Sequence, residues 1–205
     1  MATIINASTS AGLVQTADTS GDLNIQSGGS TIVAVSSTGA AVTGTLSASG
    51  AFTPNQTTGI VGTTTNNDAS VGYVGEYVSS TLAIGSATAL TTNTAKNITS
   101  ISLTAGDWDV SGWIGLDGAA TTNITRIMGN ANATTATIDN YIIGYNDISY
   151  TTAGSTLFSA GIGSLPLPSK RFSLSATTTI YLVGKVTFTI STASGFGYIT
   201  ARRVR

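Results

Sequence analysis

The residues able to do chemistry are few. Asp107-Trp108-Asp109 is the densest acidic spot. On a strand, carboxylates two residues apart share a face at about 6–7 Å. Such a pair could serve glycoside hydrolysis or contribute oxygen ligands to Ca²⁺. No third carboxylate is near in sequence, and the plainer reading is a turn Asp after Ala105-Gly106 followed by a solvent-facing strand Asp. Trp113 falls on the strand face opposite Trp108, and Tyr141, Tyr145 and Tyr150 follow. Exposed aromatic rings stack on sugars, so Trp113, Tyr141 and Tyr145 are candidate glycan contacts; the alternative is packing at a subunit interface or in the core. Arg202, Arg203 and Arg205 could meet an anion. Alternatively Arg202 and Arg203 alternate across the last strand, shielding an edge or pairing with acids of a neighbour. Five Asn-x-Ser/Thr sequons, at Asn6, Asn55, Asn97, Asn123 and Asn132, are expected by chance in so Asn- and Thr-rich a chain.

Composition removes several chemistries. The 205 residues include no His and no Cys. Ser-His-Asp and Cys-His nucleophile systems are therefore excluded, as are Cys/His zinc sites and disulfides. A net charge of −1 gives no electrostatic footprint for nucleic acid. The chain is expected to be no enzyme and to use no cofactor or metal. Ala, Ser, Thr and Gly together make up 111 residues, and only 8% are charged. So little charge suits a chain that buries surface between subunits better than an isolated monomer. Residues 1–95 carry four acids and no Lys or Arg, whereas 96–205 carry all 8 basic residues and 5 acids. Met1-Ala2-Thr3-Ile4-Ile5 lacks a basic n-region and a long apolar h-region, so no signal peptide is expected. No apolar run reaches the roughly 18–20 residues of a membrane helix, so no membrane insertion is expected.

The elements that must position these residues read as strands. Residues 1–50 form short units, Gly12–Gly21, Asp22–Gly29, Thr31–Gly39 and Val42–Gly50, most ending in Gly. Each buries too few large side chains to fold alone, which suits copies wrapped around one another; the alternative is a loose N-terminal sheet packed on the main domain. Residues 51–67, with Pro54 and many Thr and Asn, read as a linker. Over 68–80 the pattern predicts a short helix. Asp68 is its N-cap, and Val71, Val74 and Val78 fall at i, i+3 and i+7. These three valines are candidate contacts along a trimer axis, the alternative being a helix that caps the following domain. From residue 81 onward the pattern is all-β, with strands expected near 82–84, 88–92, 97–103, 108–116, 122–128, 137–143, 156–162, 170–175, 179–191 and 196–204. The predicted fold class is all-β: an intertwined segment of short strands over 1–50, a linker and short helix over 51–80, and an antiparallel jelly-roll-like sandwich over 81–205.

Five segments together resemble bacteriophage virion proteins of the fibre type. They are Gly12-Leu-Val-Gln-Thr-Ala-Asp-Thr-Ser-Gly-Asp-Leu-Asn-Ile-Gln, Val42-Thr-Gly-Thr-Leu-Ser-Ala-Ser-Gly, Gly72-Tyr-Val-Gly-Glu-Tyr-Val-Ser-Ser, Asn97-Ile-Thr-Ser-Ile-Ser-Leu-Thr-Ala-Gly-Asp-Trp-Asp-Val-Ser-Gly and Gly197-Tyr-Ile-Thr-Ala-Arg-Arg-Val-Arg. The resemblance implies a homotrimer on the virion, attached through its N-terminal part and ending in a sandwich similar to the C1q and tumour-necrosis-factor jelly rolls. Its implied partners are copies of itself and other virion proteins of the capsid, portal, collar or tail. A capsid decoration protein and a module that binds a host-surface glycan are the alternative readings.

Overall fold

In the computed structural model the described residues are 22–51, 53, 62–139, 143–149 and 156–205. The chain divides into two units, Met1–Thr64 and Thr65–Arg205.

The first unit holds an antiparallel meander of β1 (Leu23–Ser27), β2 (Ser30–Ser36) and β3 (Gly39–Val42). Gly28 and Gly29, with φ of +59° and +82°, make the two-residue turn between β1 and β2. Two successive positive φ angles match the right-handed twist of the flanking strands, and glycine adopts them without a Cβ penalty. A bulge at Ile25/Gln26 leaves Ile32 as the extra residue on β2. Two of the expected N-terminal units thus become β1 and β2. The third strand occupies 39–42, and the strand expected over 42–50 does not continue beyond Val42. The unit expected over 12–21 lies outside the described residues, as do residues 52 and 54–61 of the expected linker.

The second unit is an antiparallel, barrel-like sandwich. It comprises β4 (Tyr77–Leu82), β5 (Thr88–Ala89), β6 (Lys96–Leu103), β7 (Gly106–Asn132), β8 (Asn146–Ser149), β9 (Phe158–Leu174), β10 (Thr178–Thr189) and β11 (Ala193–Arg203). The strand order is β4-β11-β7-β10-β6, with β5 on β11 and with β8 and β9 on β7. β7 organises the unit. Its first half pairs with β11 and β9, its second half with β10 and β8. Between the halves, at Gly118–Asn123, its pairing with β9 is interrupted. The small residues Gly118, Ala119 and Ala120 let the strand turn this corner. Ser80 Oγ and Thr99 Oγ1, 2.6 Å apart, tie β4 to β6. The core gathers Leu103, Trp108, Ile114, Leu116, Ile124, Leu165, Ile180, Leu182 and Ile199, all fully buried.

Four expectations need correction. The helix over 68–80 does not form: residues 71–75 are turns and 77–82 are β4. Gly72 and Gly75 take φ of +87° and +93°, outside the helical region. Val71 and Val74 consequently share no helical face with Val78. They are 74% and 69% exposed, while Val78 packs on the sandwich core. The strands expected near 108–116 and 122–128 are one strand, β7, and those near 156–162 and 170–175 are one strand, β9, which carries Pro166 and Pro168 at exposed positions. No strand forms over 137–139, 140–142 are not described, and the next strand is β8. Finally, β11 is no edge: it runs between β4 and β7.

Candidate functional site

Of the acidic spot, Asp109 faces solvent as the plainer reading has it, whereas Asp107 is no turn residue but a strand residue within a buried clasp. Asp107 opens β7 and is buried. Its Oδ2 meets Arg171 Nη2 of β9 at 2.9 Å and also accepts from Arg205 Nε. Next to it, Arg203 at the end of β11 is buried with Glu76. Arg203 Nε donates to Glu76 Oε2 at 2.8 Å, and Nη1 donates to the Ala105 carbonyl at 2.8 Å. Nη2 donates to Thr104 Oγ1. The guanidinium lies 4.3 Å from the Trp108 ring centroid, in cation–π contact. The Gly72 N–H donates to Glu76 Oε2 at 2.8 Å, so the turn that replaces the expected helix closes the clasp. Arg202 and Arg203 alternate as expected, but Arg203 points inward to an acid of its own chain.

Both carboxyls lie below their ordinary range. For Asp107 the Ser173 hydroxyl is the largest cause, then Arg171, with burial opposing and Arg205 adding to the lowering. For Glu76 burial pushes upward, but the Gly72 N–H and the Arg203 guanidinium outweigh it. A carboxyl held ionised is a poor proton donor for glycoside cleavage. The clasp instead holds β11 and β9 onto the start of β7. Because the folded pKa values are lowered, the folded state binds fewer protons than the unfolded chain through the carboxylate range. The stabilisation is complete above that range and is lost as pH falls through the lowered values. Urea midpoints are thus expected to be level near neutrality and to decline below about pH 4. Equal midpoints from neutrality down to about pH 2 would contradict this role for the carboxylates.

Trp113 leads to a different arrangement. On β7 it stands directly opposite Tyr198 of β11, with Pro166 of β9 on its other side. The Trp113 and Tyr198 rings stack at 6.2 Å between centroids and 20° between planes. Phe196 meets Trp113 edge-on at 5.3 Å. Its ring lies over Gly115, where a Cβ would come within 2.4 Å of it. This aromatic row runs along the face of the sheet away from the core. Tyr198 is 44% exposed, Trp113 is half-buried and Phe196 is buried. Ser111 and Thr200, whose hydroxyls are 3.2 Å apart, flank the row together with Thr81. Phe196 and Tyr198 escaped the sequence reading. Their i, i+2 spacing places them on one face, but only the β11–β7 register brings them to Trp113.

Tyr145 belongs to another cluster. Its hydroxyl donates to Asp147 Oδ2 at 2.9 Å. Asp147 is paired with Arg126 across the β7–β8 ladder, Nε to Oδ1 at 3.0 Å. Arg126 is the main cause lowering the Asp147 carboxyl, while burial, then the Asp147 hydrogen bond, push the Tyr145 phenol up. Tyr141 and Tyr150 lie outside the described residues. Three sequon asparagines have their side chains engaged. Asn97 bonds Thr135 and the Ala136 N–H, Asn123 accepts from Ser159, and Asn132 is buried against Thr137 and Asp139. Among the described residues no three His, Cys, Asp or Glu side chains converge as metal ligands.

The chain matches no protein-family model, and no curated protein is detectably similar to it in sequence.

Proposed function

We propose that the chain is a structural protein of a bacteriophage particle, a homotrimeric fibre or spike attached to the virion through its N-terminal segment. One observation carries this reading. Among the described residues of the first unit none is buried, although its strands are rich in Leu, Ile, Val and Ala. Aliphatic side chains left in water contribute no burial free energy to the sheet; copies of the chain would supply the missing cover. The resemblance to fibre-type virion proteins and the scarcity of charge support the same reading, as does the sandwich, which completes a core of its own. The test is the protein content of purified particles. An antiserum to the recombinant chain should label them, at low copy number for a fibre and at a number matching the capsid subunits for a decoration protein. Particles free of the chain would refute the proposal.

A second reading, recognition of a host-surface glycan, is favoured by the row of Trp113 and Tyr198 flanked by hydroxyls. Uncharged sugars offer C–H faces to such rings and hydroxyls to Ser and Thr. Trp113→Ala should then abolish adsorption of the chain to host cells while leaving it folded. Undiminished adsorption would exclude this surface. Tyr145, already bonded to Asp147, is expected to matter less.

A further inference from the structure

We infer that one face of the β1–β3 meander is the surface through which copies of this chain assemble, and that its occupant is the same face of other copies. The inference rests on the proposed homotrimer and assigns its contact residues.

The register of the meander sorts its paired side chains between two faces; exposed Ile32, the extra residue of the bulge, stands outside the pairing. Leu23 stands opposite Val35, and Val35 opposite Ala40. Ile25 stands opposite Val33, and Val33 opposite Val42. Alternation places these six on one face, in two rows of three, every one aliphatic. The opposite face carries Asn24, Ala34 and Ala41 in its corresponding row. In the single chain the aliphatic face is open: Leu23 is 47% and Ile25 52% exposed, and Val35 and Val42 are also exposed. A contiguous apolar face of this kind marks an interaction surface.

The absence of charge favours a second copy as the occupant. Residues 23–67 contain no Asp, Glu, Lys or Arg. A partner protein recognised by charge would find nothing to pair with, whereas two copies of a neutral face meet without repulsion. The same face repeated around a symmetry axis buries Leu, Ile and Val against one another, as closed homo-oligomers do. The β-branched valines and Ile25 are stiff at χ1 and lose little freedom when they pack.

The chain has no cysteine, so a single introduced thiol can be cross-linked only between copies. Ile25→Cys and Asn24→Cys sit side by side on β1 but on opposite faces. In the full chain, a short bis-maleimide should join Ile25→Cys copies at least about tenfold faster than Asn24→Cys copies, at a rate unchanged by dilution, because an interface fixes the effective concentration. Equal rates, or Ile25→Cys cross-linking that falls in proportion to dilution, would overturn the inference. In parallel, Ile25→Asp should reduce the native mass to that of one 20.6 kDa chain while the thermal transition of the sandwich persists. An unchanged mass would also overturn it. A wild-type chain that is itself monomeric would mean that its own residues cover the face, and the inference fails. The outcomes separate the two claims. A chain found in particles but cross-linked equally at both positions keeps the virion reading and loses this face. One absent from particles but cross-linked through Ile25→Cys does the reverse.

Discussion

Arg203→Ala is expected to destabilise the sandwich by about 3–5 kcal/mol, the usual cost of removing one partner from a buried ion pair. The guanidinium bonds Glu76, Ala105 and Thr104 and covers the Trp108 ring. Without it Glu76 keeps the Gly72 N–H as a partner, but its charge stays buried with no cation beside it. Thr104 and the Ala105 carbonyl lose a donor, and Trp108 loses its cover. Set against total stabilities of about 5–15 kcal/mol, this is a large fraction. The chain has two tryptophans, Trp108 and Trp113, both on β7. Urea unfolding followed by tryptophan fluorescence therefore reports the sandwich alone. Glu76→Ala in the Arg203→Ala background should restore part of the loss, since it removes the orphaned charge. A shift under about 1 kcal/mol for Arg203→Ala, the size typical of exposed pairs, would show that the pair is effectively solvated.

Gly197→Ala is the second large effect, at about 2–6 kcal/mol, combining overpacking with backbone strain. Gly197 lies in β11 opposite Ile114 with φ of +144°, a conformation L side chains rarely adopt. An added Cβ would sit 2.1 Å from the Trp113 carbonyl oxygen, a backbone atom of the strand that β11 and β9 clamp on both sides. No side-chain rotation relieves that contact. Gly85→Ala, where an added Cβ meets nothing within 4 Å, serves as the control and should be close to neutral. Equal urea midpoints for the two variants would contradict this account of the β7–β11 approach.

Much of the sandwich was legible in the sequence because its strands follow a two-residue period. Trp108, Val110, Ile114 and Leu116 fall on one face of that period and are all buried; Ile180, Leu182 and Val186 likewise. Ile190, in phase with the latter three, is exposed because the chain leaves β10 at Thr189 and takes φ of +81° at Ile190. The valine spacing over 71–78 mimicked a helix, yet two glycines in that stretch favoured turns, and their freedom at positive φ decided the outcome. The clasp was not legible. Glu76 and Arg203 are 127 residues apart, and only the closing of β4 and β11 around the start of β7 makes them neighbours. The aromatic row was half legible: the two-residue period sets Trp113 opposite Trp108, but which rings line that face depended on the pairing of β7 with β11. In the meander the two-residue pattern marks the strands, while the placing of Leu23, Ile25, Val33, Val35, Ala40 and Val42 on one face requires the register.

The central claim is that the first unit completes its core between copies. Light scattering on the gel-filtered full chain, with an unheated SDS gel beside it, tests this most directly. The account predicts a trimer of 20.6 kDa chains, about 62 kDa, at every concentration tested, and a band that resists SDS until heated, as slowly unfolding intertwined assemblies do. A single 20.6 kDa species that remains monomeric at high concentration would contradict it.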